Sequence, residues 1–138
     1  MIIGIGMDLV ALSRMERACK NERFVQRVFT ETERRQAAGS IRRLAGDFAV
    51  KEAVAKAMGT GVRGFELCEI ACHRDALGAP KAVLCGKAAL LVAQKGIDLI
   101  HISITNEAGL AAAMAVCEGQ SAAKPYSRNL TEAHGMVP

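Results

Sequence analysis

The chain has no tryptophan, one tyrosine and four phenylalanines among 138 residues, so it lacks the aromatic platforms on which single-stranded nucleic acids stack. No recognised nucleic-acid motif takes their place, and nucleic acid is not an expected partner. No apolar run reaches the ~18 residues that a bilayer span needs, and Met1-Ile2-Ile3-Gly4 lacks the basic segment and cleavage site of a secretory leader. A cytoplasmic protein without a membrane partner is the resulting expectation. The five cysteines, Cys19, Cys68, Cys72, Cys85 and Cys117, are odd in number and show no Cys-x-x-Cys spacing, which fits free thiols in a reducing compartment. Cys68, Ile70 and Cys72 alternate like the inward face of a strand, so core packing is expected there rather than metal ligation. There is no phosphate-binding Gly-x-x-x-x-Gly-Lys-Ser/Thr loop, and Gly4-Ile5-Gly6 lacks the third glycine of a dinucleotide fingerprint.

What is present suits one globular domain, with a net charge of +4 that is unevenly spread. Between Ser13 and Arg43 nine basic residues face four acidic ones, a local +5 that leaves the remainder at −1. Arg14, Arg17 and Lys20 recur at three-residue steps within this patch and suit an acidic partner.

Ile2 to Val10 reads as a strand, with Ile3, Ile5, Met7 and Leu9 on one side and Gly4, Gly6, Asp8 and Val10 on the other. Glycines in a strand mark the close approach of another backbone or of a ligand, which makes the neighbouring Asp8 a candidate site residue. Ser13-x-x-Glu16 and Thr30-x-x-Glu33 match the capping box and predict two short helices. Ser40 is the expected cap of a longer helix reaching Met58 and closed by Gly59-Thr60-Gly61. On that helix Ile41, Leu44, Ala45, Phe48, Glu52 and Ala55 form one stripe, which puts the Glu52 carboxylate on an apolar face. A buried carboxylate requires a cation, several donors or a polar cleft. Lys56, four residues on, is the local candidate for an ion pair. The opposite side carries Val50, Ala53, Val54 and Ala57, so the helix needs cover all round, which suggests a subunit interface.

Glu66–His73 and Lys81–Cys85 read as two strands joined through Asp75, Gly78 and Pro80, followed by a helix over Lys87–Lys95. Ile100, Ile102 and Ile104 alternate with a polar face of His101, Ser103 and Thr105. The alanine-rich Ala108–Cys117 has helical propensity, yet Asn106-Glu107-Ala108-Gly109 favours a hairpin with the preceding strand. Residues 119–138 lose the hydrophobic pattern and read as a mobile tail after a domain spanning 1–118.

Asp8 and Glu52 supply two hard oxygen donors of the kind that hold magnesium, or manganese in its place, beside a phosphate substrate. Gly4-Ile5-Gly6-Met7-Asp8, the run from Phe48 to Gly61, and His101-Ile102-Ser103-Ile104-Thr105 together resemble the signatures of the holo-[acyl-carrier-protein] synthases, within the 4′-phosphopantetheinyl transferase superfamily. The resemblance implies an α+β domain with an antiparallel sheet packed on a long central helix. It also implies a homotrimer with coenzyme A in clefts between subunits, and transfer of the coenzyme's phosphopantetheine to a serine of acyl carrier protein. Carried onto this sequence, it makes Asp8 and Glu52 the magnesium ligands and Lys56 a phosphate-contacting catalytic residue. Gly59, Thr60, Gly61, Pro80, His101 and Ser103 become the lining of the coenzyme cleft, and Arg14, Arg17 and Lys20 the carrier-binding face. The sequence departs from the family pattern at Asp47, where an arginine is common, at Ala79, where a lysine often precedes the proline, and at Asn106, where a histidine commonly follows the strand. The competing expectation is a non-catalytic module that uses the basic patch to hold an acidic protein.

Overall fold

In the first strand it is the glycines that face inward. A computed structural model describes residues 1–120, and the expected tail beyond that point lies outside the described residues. Strand β1 (Ile2–Ala11) leads into three short helices, α1 (Leu12–Ala18), α2 (Glu22–Val28) and α3 (Glu31–Ala37), and then into the long helix α4 (Ile41–Ala57). A 3-10 turn at Leu67–Glu69, strands β2 (Ile70–Arg74) and β3 (Pro80–Leu84), helix α5 (Gly86–Gln94) and strands β4 (Ile97–Glu107) and β5 (Leu110–Gly119) complete the fold. One antiparallel sheet has the order β1-β5-β4, and β2 and β3 form a separate antiparallel pair. This is the expected α+β arrangement, with α4 laid across the inner face of β1 and β5.

Small residues make that packing close. Gly6, Ala111, Ala113 and Ala115 on the sheet meet Ala49, Ala53 and Ala57 on the helix, all of them buried. A Cβ on Gly6 would run into the Ala53 carbonyl oxygen, and one on Gly4 into that of Ala57. The close approach signalled by these glycines is therefore to the α4 backbone. Gly6→Ala should cost about 1–3 kcal/mol through overpacking and lower the thermal midpoint measurably, because the obstruction is backbone and cannot rotate away. An unchanged midpoint would mean that β1 and α4 are less tightly apposed.

Several local expectations are corrected. A register irregularity between Ile2 and Gly4 accompanies Ile3 packing against the core, away from the outward-facing Ile5, Met7 and Leu9. Helix α1 begins at Leu12 with Ala11 as its cap and no side-chain cap bond, so Ser13 lies inside the helix and forms no capping box. Helix α2 was not expected. Asn21 caps it by accepting from the Arg23 and Phe24 amides, a cap that lacks the acidic partner of the box motif. The Thr30–Glu33 capping box and the Ser40 cap form as predicted. Residues 67–69 coil into the 3-10 turn, so the strand expected from Glu66 starts at Ile70, and Cys68 lies outside it. The alanine-rich segment is a strand because it pairs on both edges, and that pairing overrides its helix propensity. Ala108 (φ 52°) and Gly109 (φ 76°) close the β4–β5 hairpin with two positive-φ residues, as a type I′ turn requires. Gly119, expected to open the tail, ends β5 and donates its amide to the Met1 carbonyl at 3.0 Å.

The circumference of α4 is covered largely by its own chain, through β1, β5, β4, β2, α1 and α3, so its burial gives no separate sign of a subunit interface. The unburied apolar surface lies on the far side of the large sheet instead. There Ile5, Met7, Leu9 and Met114 are 68%, 61%, 61% and 45% exposed, and cross-strand pairing continues the rows to Ser103 beside Met114 and to His101 beside Val116.

The fully buried charge on α4 is Lys51, not Glu52. Lys51 Nζ donates to Glu33 Oε1 at 2.7 Å and to the carbonyl oxygens of Ile70 at 2.7 Å and Leu67 at 3.3 Å, and lies 5.6 Å from the Phe29 ring centroid. Glu33 also accepts from the Thr30 and Cys72 amides, so this ion pair ties α3, α4 and β2 together with its polar atoms partnered.

Candidate active site

Asp8 extends from β1 two residues after Gly6, on the edge where the strand passes the last turns of α4. Lys56 reaches across from α4, donating to the Met7 carbonyl at 2.9 Å and to Asp8 Oδ1 at 3.3 Å. The expected partnership of Lys56 with Glu52 is thus replaced by one with Asp8, 48 positions away in the chain. Glu52 is half-buried rather than enclosed in an apolar stripe, and it lines one cavity of about 340 Å³ together with Asp8 and Arg14. Met15, Phe24 and Phe48 form the apolar wall of the same cavity. Burial pushes the Glu52 carboxyl above the usual carboxylate range and the Asp8 charge pushes it further, against the pull of Lys56 and Arg14.

Two carboxylates lining one cavity, with a lysine against one of them, make a donor set suited to a cation. Among the described residues no group of three or more His, Cys, Asp or Glu side chains could hold a metal. The donor set therefore fits a hard ion that takes two protein carboxylates and completes its shell with water and substrate oxygens, as magnesium does. It does not fit a closed structural zinc site.

The remaining expected residues do not gather around this cavity within one chain. Gly59 and Thr60 line a separate cavity of about 550 Å³ with Arg63, Lys87 and Leu90. Gly59 (φ 80°) and Gly61 (φ 57°) turn the chain out of α4, and the Gly61 amide donates to the Ala55 carbonyl. Pro80 and Ser103 share a third cavity with Arg42, Arg43 and Arg74, while Pro80 and His101 line a fourth beside Lys81 and Asp98. His101 is exposed on the outer face of the sheet, with Nε2 2.6 Å from Glu118 Oε2. Arg14 and Arg17 project from α1 into solvent, and Lys20 is exposed in the turn that follows.

Sequence reasoning missed one charged pair near these cavities. Arg74 Nη2 donates to Asp47 Oδ1 at 3.0 Å. Burial pushes the Asp47 carboxyl up to about 6 despite the opposing pull of Arg74, and the Glu33 charge adds to the rise. Asp47, an acid flanked by Gly46 and Phe48 in the first half of α4, was the available signal, although its partner lies 27 positions away.

Comparison with known proteins gives a consistent answer. A family model for the 4′-phosphopantetheinyl transferase superfamily matches residues 4–117. The holo-[acyl-carrier-protein] synthase of Lachnoclostridium phytofermentans is 41% identical over 118 residues, covering 86% of this chain and 97% of that protein. Among solved structures, the holo-[acyl-carrier-protein] synthase of Neisseria meningitidis superposes with a TM-score of 0.79 at 36% identity, covering 86% of this chain and 99% of the other. The Bacillus anthracis synthase, solved in complex with CoA (3′,5′-ADP), gives a TM-score of 0.72 at 32% identity, covering 87% and 99% of the two chains. With its fold and nearly its whole described length matched, the chain belongs to the holo-[acyl-carrier-protein] synthases, enzymes of the 4′-phosphopantetheinyl transferase superfamily.

Proposed function

We propose that this enzyme transfers 4′-phosphopantetheine from coenzyme A to a serine of apo acyl carrier protein in a magnesium-dependent reaction that releases 3′,5′-ADP. The observation that carries the reading is the meeting of Asp8 and Glu52 at one cavity, with Lys56 against Asp8 and Arg14 on the wall. The bound coenzyme in the Bacillus anthracis relative supports the choice of substrate. Asp8 and Glu52 would hold the ion, which supplies positive charge to the pyrophosphate as the leaving group departs. Lys56, half-exposed and already seated on an acid, would exchange Asp8 for a phosphate oxygen. Gly59, Thr60, Gly61, Pro80, His101 and Ser103 would line the coenzyme cleft. The spread of Gly59, Thr60, Pro80, His101 and Ser103 over separate cavities, and the apolar outer face of the sheet, support a cleft completed by neighbouring copies in a homotrimer. A non-catalytic module for an acidic protein would account for the basic patch but not for paired carboxylates at a shared cavity.

Intact mass measurement of apo acyl carrier protein after incubation with coenzyme A and magnesium tests the reading. A gain of one phosphopantetheine is expected, with none after exhaustive chelation and recovery when magnesium or manganese is restored. Turnover in the absence of divalent ions would remove the metal from the reaction. Light scattering on the same preparation should give the mass of three chains, and an active monomer would contradict the shared cleft.

Arg14 and Arg17, exposed one turn apart on α1, are expected to capture the acidic carrier together with Lys20. Charge reversal at both arginines should raise the carrier KM about tenfold or more at low salt, since surface charge mainly governs encounter, and the effect should shrink as salt screens it. Unchanged carrier kinetics at low salt would make the patch an ordinary solvated face.

A further inference from the structure

The large sheet loses register on both edges of its central strand at the same place. On β1 the shift falls between Ile2 and Gly4 and on β4 between Ile97 and Leu99, and Glu118 of β5 stands opposite Ile2 in one ladder and Leu99 in the other. Such irregularities bend a strand, increase its twist and re-aim the side chains beside them. Ile2 and Leu99 are exposed apolar residues and offer the Glu118 carboxylate no partner. The carboxylate turns instead to His101, two residues along β4 from Leu99, and Oε2 accepts from the ring Nε2 at 2.6 Å. A diagonal pair of this kind lies within reach of long side chains on one face of a sheet. Because an ionised carboxylate only accepts, the hydrogen of this contact belongs to Nε2. His101 makes no other hydrogen bond among the described residues, so Nδ1 is left for a ligand. The ring lies on the wall of the cavity of about 510 Å³ between β3 and β4, with Pro80, Lys81 and Asp98.

Resting on the transferase reading above, we propose that Glu118 is a positioning residue for coenzyme binding, which holds Nε2 of His101 and thereby fixes the tautomer and direction of the ring, with Nδ1 presented to the nucleotide half of the coenzyme. An imidazole without such a partner exchanges its two tautomers and turns over about its last side-chain torsion, so that either nitrogen can face the ligand. With Nε2 occupied, the neutral ring offers a single acceptor, which suits an amino or hydroxyl donor of the nucleotide. Glu118 can fix the ring because β5 is paired on both edges, which keeps its backbone from drifting.

NMR of the imidazole nitrogens, taken at a pH that leaves the ring neutral, reads the tautomer without any transfer. His101 should carry its proton on Nε2 in the parent and in Glu118→Gln, whose amide oxygen still accepts, and should become a mixture of tautomers in Glu118→Ala. The coenzyme KM should rise about threefold to tenfold in Glu118→Ala, with kcat and the carrier KM within about twofold, and return close to the parental value in Glu118→Gln. In a His101→Ala background Glu118→Ala should add nothing, because it acts through the ring. Calorimetric binding of 3′,5′-ADP should repeat the pattern. A parental ring protonated on Nδ1, equal losses in Glu118→Ala and Glu118→Gln, or losses that add to those of His101→Ala would each overturn the assignment. If the parent bound 3′,5′-ADP but transferred nothing, the transferase reading would fail, and the spectra and calorimetry would still judge Glu118 separately.

Discussion

Glu52→Gln is expected to lose at least about a hundredfold in turnover and most of the magnesium affinity, while the metal-free protein stays as stable as the parent or becomes more so. The two effects have one origin. Burial and the neighbouring Asp8 charge both raise the Glu52 pKa, so its ionised form is disfavoured in the folded protein unless a cation is present. A raised carboxyl pKa gives a stability contribution that is full below the unfolded value and lost as pH rises through the folded value. The variant's advantage in metal-free thermal unfolding should therefore grow with pH across that window and level off above it. Added magnesium should raise the midpoint of the parent and leave that of the variant unmoved. The pairing of Lys56 with Asp8 sharpens the test, since among the described residues Glu52 has no salt bridge to a lysine that the substitution would break. Carrier phosphopantetheinylation at the parental rate by Glu52→Gln would rule out the proposed metal site.

The largest loss of stability is expected from Lys51→Met. The ammonium is fully buried, and its removal leaves the Glu33 carboxylate buried without its cation and the Ile70 and Leu67 carbonyls without their donor. Breaking one side of such a pair costs about 3–5 kcal/mol. For a domain of this size that corresponds to a midpoint lower by roughly 10–25 °C. The double variant Glu33→Gln/Lys51→Met should recover part of the loss. It removes the stranded charge and keeps a side chain able to complete the Thr30 capping box, but it does not restore the donor to the two carbonyls. Lys51→Met as stable as the parent would show that the pair is dispensable.

Some of this protein is determined by sequence alone, because the relevant physics is local. A hydroxyl and a carboxylate three residues apart satisfy the same orphan amides wherever they occur at a helix start, so the Thr30 box and the Ser40 cap could be read directly. The alternation from Ile100 to Thr105 and the turn at Ala108-Gly109 likewise depend on near neighbours, as do the three motifs that mark the family. Tertiary structure decided which face of an element is inside and which charges meet. In β1 the glycines are inside and three large apolar residues outside, because α4 approaches too closely for a side chain at Gly6. On α4 the hydrophobic pattern could not choose a face. A helix surrounded by its own chain buries nearly every side, so Lys51 goes into the core while Glu52 stays at the edge. Helical spacing assigned Lys56 to Glu52, whereas β1 brings it Asp8; Asp47 likewise finds Arg74 only because β2 passes the first half of α4. Such pairings are settled by how the elements stack, and no rule of three- or four-residue spacing reaches across the 48 and 27 positions that separate these partners.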